Sequence, residues 1–366
     1  MQKDLLADFL HLYHSVRNAG NRLPALLEHF DNDPRRLLDC SDATLRALGL
    51  AQDCIRAIRS RRNAIVESDL RWAAQQGNHL LCYRDEAYPE LLRQIVGFPA
   101  LLYARGNPGL LSKPQIAIVG SRNCTPGGQQ NAFDLSARCS AAGLVVTSGM
   151  ALGVDSAAHR GALSISGETI AVTATGLDLV YPARNRKLAD EIAERGLILS
   201  EFPLGTKALP AYFPQRNRII SGLAVATLVV EAARRSGSLI TARLAAEQGR
   251  EVLAVPGSIH NPQTRGCHQL IRDGATLVES VSDISEQLGS LYEFALEQHS
   301  GGTGATSEPL DREQLKLLDA IGYDPVNCDI LVQRSGLTID KVSSMLVILE
   351  LKDLIQSAPG GCYVRI

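Results

Sequence analysis

The chain has no CxxC pair, no apolar run of about 18 residues and almost no net charge, and each absence removes a class of function. Its eight cysteines, at 40, 54, 82, 124, 139, 267, 328 and 362, lack the spacing of a structural zinc site or a disulfide framework. With no signal-peptide pattern and no membrane span, a cytoplasmic protein with reduced thiols, no metal and no cofactor is expected. The 37 Lys and Arg residues are matched by 39 Asp and Glu, a formal charge of −2, so the molecule is not a polycation drawn to any polyanion. Any nucleic-acid contact has to be local.

The 366 residues suffice for two or three domains at roughly 150 residues each. Residues 1–70 carry helical periodicity without strand signals (DLLADFLHLYHSV, LPALLEHF, DATLRALGL, CIRAIRSRRNAIV) and read as a small all-helical module. Gly49 in LRALGL could belong to a helical-hairpin turn that holds a phosphate backbone or to an ordinary helix connection. The arginines at 56, 59, 61 and 62 read as a solvated face.

From about 80 to 290 the pattern changes to seven β-branched runs (115–120, 143–149, 169–176, 197–202, 226–232, 251–257 and 275–280) alternating with amphipathic segments. Continuous apolar strands separated by helices predict an α/β fold with a doubly wound, Rossmann-like parallel sheet covered on both faces. Its ligand crevice is expected at the carboxyl ends of the strands, where the winding reverses. Residues 291–309, ending in SGGTGATSEP, read as a flexible linker, and 310–366 give the element order of a winged helix. The helix at Ile339–Leu351 offers Asp340 and Glu350, with Asp353 beyond, against Lys341 and Lys352. That balance favours protein docking or a structural role over sequence-specific DNA reading.

The first strand ends in VGSRNCTPGG, which matches neither GxGxxG nor GxxxxGK[ST], so a dinucleotide site and a P-loop are disfavoured. Gly120 permits a tight turn and Ser121 can cap the next helix. Arg122 then stands where free N–H groups would receive a phosphate, or it packs on its own helix end. Asp155 and His159, four apart after the second strand, could bind metal or shuttle a proton; an aspartate at a helix start holding a histidine is the commoner arrangement. Arg184, Arg186 and Lys187 open a helix, which calls for solvation or an anion. Ser236, Gly237 and Ser238 form another small, hydroxyl-rich helix start. In YFPQRNRIISG, Phe213, Ile219, Ile220 and Leu223 suit one buried face. Arg216 and Arg218 are expected to face the crevice together, and no acid lies between Lys207 and Val230 to compensate them. Tyr212 and Phe213 supply faces for a stacked base.

GSRNCTPGG, SGMALGVDSAAHRGAL, YPARNRKL, FPQRNRIISGLA, RSGSLITARLAAEQGREVLAVPG and GCHQLIRDGA, in this order, resemble the DNA-processing protein A (DprA, or Smf) family. The resemblance implies a non-enzymatic protein of natural transformation that binds and protects incoming single-stranded DNA and loads the RecA recombinase onto it. It implies an extended Rossmann domain that dimerises. Carried over by motif, the family's DNA contacts fall on Arg122 and on Arg216 and Arg218, which flank Asn217. Lys187 and Lys207 are supporting contacts. The dimer edge falls around 267–275, with Leu270 and Ile271 at its apolar centre and His268 where an asparagine is expected. The competing reading is a nucleotide phosphoribohydrolase on a related sheet. That class needs a PGGxGT motif followed by a catalytic acid, and here the matching strand end reads VEAARRSGSLITA, with Glu231 inside the strand end.

Overall fold

Alternation along the strands decides which residues meet which helices, because successive side chains leave a strand on opposite faces. In the strand Gln115–Val119, Ile116 and Ile118 join one core with Val146, Leu228 and Leu253, beneath the helices Pro126–Ala141 and Val154–Ser164. Ala117 and Val119 point the other way, into a core shared with Ile219, Ile220, Ala242 and Cys267 of three other helices. Both faces are dry, as the unbroken apolar runs require. The structure is a computed structural model that describes residues 3–16, 22–60, 63–297, 312–321, 326–351, 354–358 and 362–365.

Among these residues the central sheet has nine strands: β1 (Asn78–Cys82), β2 (Leu101–Gly106), β3 (Gln115–Val119), β4 (Val145–Gly149), β5 (Thr169–Val172), β6 (Leu197–Ser200), β7 (Ala226–Val229), β8 (Glu251–Ala254) and β9 (Thr276–Leu277). Their order is β1-β2-β6-β5-β4-β3-β7-β8-β9. The run from β6 to β9 is parallel and contains the seven expected strands. β1 and β2 are an addition to the expected sheet. They form an antiparallel pair, and β2 pairs antiparallel with β6. The chain winds outward from β3 to β6 and returns to β7 beside β3, so the winding reverses between β3 and β7.

The N-terminal helices share the core of the β1 and β2 end: Phe9, Leu12, Leu37 and Ile55 belong to the same cluster as Tyr83 and Leu101. Asp69 accepts from the Tyr103 hydroxyl at 2.8 Å and lies 2.6 Å from His14, fastening two helices to β2. Residues 1–301 form one unit and 302–366 a second. At the Gly49 turn, the Gly49 N–H donates to the Arg46 carbonyl at 2.9 Å, and Arg22 donates to the carbonyls of Leu48 and Gly49. The turn is an ordinary connection with no N–H aimed at a phosphate. Arg56 and Arg59 pair with Asp53 and Asp42; Arg61 and Arg62 lie outside the described residues.

Helix Val281–Glu297 runs into the expected linker, whose glycine-rich part, 300–309, lies outside the described residues. In the second unit, helices Arg312–Ile321, Cys328–Ser335 and Ile339–Leu351 pack around Leu317, Leu331, Val342 and Leu346. β10 (Val326–Asn327), β11 (Ile355–Ala358) and β12 (Cys362–Arg365) pair in the order β10-β12-β11, a winged helix. On helix Ile339–Leu351 Lys341 is paired with Glu313 at 2.8 Å, and Lys352 and Asp353 lie outside the described residues.

Candidate nucleic-acid interface

Helix Tyr212–Leu223 crosses the crevice end of the sheet and sets the arginine geometry. Arg216 sits four residues before Ile220 and seven before Leu223, so helical spacing puts it on the buried face with them. It is 5% exposed. Its guanidinium donates to the Val172 carbonyl at the end of β5 and, through Nε, to the Asn217 side chain at 3.2 Å. Asp155 faces it across Gly149: a Cβ on Gly149 would stand 2.3 Å from Arg216 Nη1 and 2.5 Å from Asp155 Oδ2. Only glycine fits there. Burial pushes the Asp155 carboxyl up against the pull of Arg216, and pushes the Arg216 guanidinium down to about 10, still charged at neutral pH.

Arg218 goes elsewhere. It grips Glu201, just past β6, with both terminal nitrogens, at 3.0 and 2.5 Å, and the two side chains are 19% and 15% exposed. Tyr13 of the first helix donates to the Glu201 carbonyl at 2.7 Å, so this pair belongs to the joint between the helical module and the sheet. The expectation that Arg216 and Arg218 face one crevice without counter-ions is therefore overturned. Their acids come from other elements, Asp155 and Glu201, outside the stretch in which none was found. Of the two aromatics, Tyr212 is half-buried and packs on buried Phe202 at 4.5 Å between ring centroids.

Arg122 and Phe213 remain at the rim. The Arg122 guanidinium lies 4.9 Å from the Phe213 ring centroid, and Tyr181, 49% exposed, stands 5.9 Å from Phe213. Among the described residues no carboxylate lies within 4 Å of Arg122, although Asp155 acts on Arg216 from beneath. These groups wall a pocket of about 510 Å³, open mouth included, formed with Met150 to Leu152 after β4 and Thr173 to Thr175 after β5, with Arg216 among its lining residues. Two guanidiniums face one carboxylate there, an arrangement that attracts an anion to Arg122.

The pocket is not at the point where the winding reverses. Between β3 and β7 the helix Pro126–Ala141 is already capped: Gly128 donates to the Thr125 hydroxyl at 3.0 Å, and Glu231, 2% exposed, accepts from the Thr125 N–H at 3.0 Å and its hydroxyl at 2.5 Å. A buried carboxylate occupies the place where a dinucleotide fold would put a phosphate. Ser121 is thus not the helix cap; its hydroxyl accepts from Asn123 N–H at 3.2 Å, while its N–H donates to the Glu231 carbonyl at 2.7 Å. Gly120 approaches Val154 and that same carbonyl too closely for any side chain. The open site is displaced to β4 and β5.

The Asp155 and His159 pair is also different from expectation. His159 is fully buried, bonded through Nε2 to the Gly149 carbonyl and through Nδ1 to Thr169, both at 2.7 Å, and burial lowers it to about 4. Asp155 accepts from Ala151 N–H at 3.3 Å and serves Arg216. Among the described residues no group of three His, Cys, Asp or Glu side chains gathers to hold a metal. Lys187 and Lys207 are exposed at the ends of β5 and β6, and the Ser236 and Ser238 hydroxyls bond each other at 2.7 Å beside exposed Gly237. His268 bonds to the Gly257 carbonyl at 2.9 Å, and Leu270 and Ile271 are half-buried next to the edge strand β9. Two residues had gone unnoticed in YPARNRKL, where the charges dominate: the Tyr181 ring and Asn185. Asn185 is buried, donates to the Met150 carbonyl at 2.8 Å and Ser156 at 2.9 Å, and so shapes the pocket wall.

The family profile described as DNA recombination-mediator protein A matches residues 79–289. The chain belongs to this family. A second profile, the DprA winged helix domain, matches residues 302–361. Relatives of this family member include Protein Smf of Escherichia coli K12, 39% identical over 307 residues that cover 82% of this chain and 81% of that one. DNA processing protein DprA of Streptococcus pneumoniae R6 is 46% identical over 200 residues, 55% of this chain and 71% of that one. The X-ray structure of DprA from Streptococcus pneumoniae superposes with a TM-score of 0.69 at 36% identity, covering 76% of this chain and 96% of that one. DprA of Helicobacter pylori, whose structure concerns its single-stranded DNA binding mode, gives 0.54 at 31% identity over 60% of this chain and 99% of that one.

Proposed function

We propose that this family member binds single-stranded DNA, like its Helicobacter pylori relative, that it does so at the pocket after β4 and β5, and that it acts as a non-enzymatic mediator of recombination in natural transformation. The observation that carries the reading is Arg122: an exposed guanidinium with no carboxylate within 4 Å among the described residues, set over Phe213 and beside Tyr181 at the mouth of a pocket whose other cation, Arg216, is faced by Asp155. A phosphate pairs with Arg122 while a base stacks on the aromatic pair, contacts that hold any sequence alike. Gly120, Ser121 and Asn217 shape the backbone and orient Arg216, Lys187 and Lys207 extend the field, and the Ser236–Ser238 turn supplies hydroxyls along the same edge. Arg216 supports the pocket from below, and Arg218 holds the fold.

Handing the strand to RecA and pairing into a homodimer through β9, Leu270 and Ile271 belong to the same reading. The open edge at β9, where Leu277 is 44% exposed, supports it, since an unpaired edge strand with an apolar side chain invites a second copy. A cytoplasmic location fits the task, and among the described residues no helix is long and apolar enough to cross a membrane. The phosphoribohydrolase reading has nothing in its favour, because both Glu231 oxygens are committed to Thr125. A gel-shift titration of wild type and Arg122→Ala at two salt concentrations tests binding. Equal affinity in both proteins overturns the assignment. RecA filament formation on strands coated with single-strand-binding protein, with and without this chain, tests mediation, and light scattering of Leu270→Glu/Ile271→Glu tests the dimer.

A further inference from the structure

In the N-terminal helices Arg35, Arg36, Arg56 and Arg59 each reach an aspartate. A group at the crevice edge of the sheet does not. Arg234 and Arg235, in the loop after β7, and Arg265, which opens helix Arg265–Arg272 after β8, are exposed and, among the described residues, have no carboxylate within 4 Å. The sequence leaves them without candidates: neither 232–246 nor 252–272 contains an aspartate or glutamate, and Glu231, just before them, is buried on Thr125.

These arginines form a single surface because the segments that carry them are fastened together. β3, β7 and β8 are parallel neighbours, so their following loops emerge on one edge of the sheet. The Gly266 N–H donates to the Ala232 carbonyl at 2.7 Å, and a Cβ on Gly266 would meet the Ala232 and Ala233 carbonyls at 2.6 and 2.8 Å. That close approach sets Arg265 against the loop of Arg234 and Arg235. The same edge continues to the pocket, since Ser121, next to Arg122, bonds to the Glu231 carbonyl at 2.7 Å and to Gln263 at 3.4 Å. With strands spaced about 4.8 Å apart, β3 to β8 spans on the order of 10 Å.

We infer that Arg234, Arg235 and Arg265 form a second polynucleotide-binding segment, which carries the strand from the Arg122 pocket across the ends of β7 and β8 toward the β9 edge. The inference rests on the proposed single-strand binding and adds a direction and a length requirement to it. A polyphosphate chain is the partner that fits, because the cations lie on a sheet edge continuous with an anion pocket and, among the described residues, have no carboxylate within 4 Å. Each phosphate neutralised makes the affinity of a single strand fall by roughly 0.7 decades per decade of salt.

The test is a triple variant, Arg234→Ala/Arg235→Ala/Arg265→Ala, in the full chain, titrated with a short oligothymidylate that fills only the Arg122 pocket and with a long one. Wild-type stability is expected, since the three side chains are exposed and have no carboxylate partner among the described residues. The long strand is expected to lose affinity and its salt slope to become shallower by roughly 2, with the short strand unaffected. Equal losses on both lengths overturn the inference, because the arginines then act through the pocket. No loss on either overturns it too, as does undiminished DNA binding with lost retention of polyglutamate, which makes the patch an acidic-protein surface. If wild type itself binds neither oligonucleotide, the proposed function falls and takes this inference with it, an outcome separate from the other three.

Discussion

Arg122 and Arg216 line the same pocket and do opposite work. Arg122 lies at the rim, exposed, with a ring beneath it and, among the described residues, no carboxylate within 4 Å. Arg216 is 5% exposed, hydrogen-bonded to a strand-end carbonyl and faced by Asp155. A buried charge has already lost its water and depends on internal partners, whereas an exposed one keeps its hydration and can exchange it for a ligand. The comparison teaches that a basic motif is not a binding surface by composition alone. Its counter-ions, which arrive from other elements, decide which cation is available.

The largest effect expected from this contrast is on stability. Arg216→Met leaves Asp155 buried without its counter-charge and should cost about 3 kcal/mol in urea unfolding, with Arg216→Met/Asp155→Asn recovering a good part. If Arg216→Met costs no more than Arg122→Ala, the division between interior and rim is broken. Arg122→Ala should leave the unfolding midpoint within about 0.5 kcal/mol of wild type while weakening single-strand binding and making its salt slope shallower by roughly 0.7. Phe213→Ala should weaken binding by about 1–3 kcal/mol with the salt slope unchanged, because stacking neutralises no phosphate.

A pH dependence sharpens the interior half. His159, held neutral beneath Gly149, titrates at about 4 when folded against about 6.5 when unfolded. Its depressed value means that its stabilising contribution is complete above the unfolded pKa and is lost as pH falls toward the folded one. Between pH 7 and 5 the loss should be about 2 kcal/mol. Asp155, raised by burial, acts in the opposite sense, because a carboxyl raised in the folded state takes up its proton there first and so favours folding as pH falls. The clean measurement is therefore the difference in pH slope between wild type and His159→Asn. An identical slope in the two proteins would show that His159 is not the group responsible.

The seven parallel strands were legible because each is a continuous β-branched run between helices, a pattern that a sheet buried on both faces imposes locally. β1 and β2 were not. β2 joins the sheet through β6, far along the chain, and the stretch between β1 and β2 holds only a one-turn helix, so nothing local marks an antiparallel edge. The same reason hid the charge balance. The stretch 207–230 contains no acid, and Asp155 and Glu201 reach the arginines only through the fold, although the spacing of Arg216 to Ile220 and Leu223 does point it inward. Glu231 was visible as a residue and invisible as a cap, since its partner Thr125 is brought to it only by the pairing of β3 with β7. Arg122 and Phe213 were found because their surroundings are defined by the loops that carry them.

The smallest effect concerns Arg218, and it tests the contrast most finely because this arginine is intermediate in burial. Its bidentate grip on Glu201 is partly shielded, and Glu201 in turn receives the Tyr13 hydroxyl at its carbonyl, so Arg218→Ala should cost about 1 kcal/mol of stability. Tyr13→Phe should cost less, since it removes one hydrogen bond and no charge. Single-strand affinity should stay close to wild type in both, with the salt slope intact, because neither side chain reaches the pocket mouth. Should Arg218→Ala instead lose affinity as Arg122→Ala does, with stability unchanged, Arg218 must release Glu201 to meet a phosphate. The partition between cations that hold the fold and cations that hold the strand would then be a property of the ligand-free protein alone.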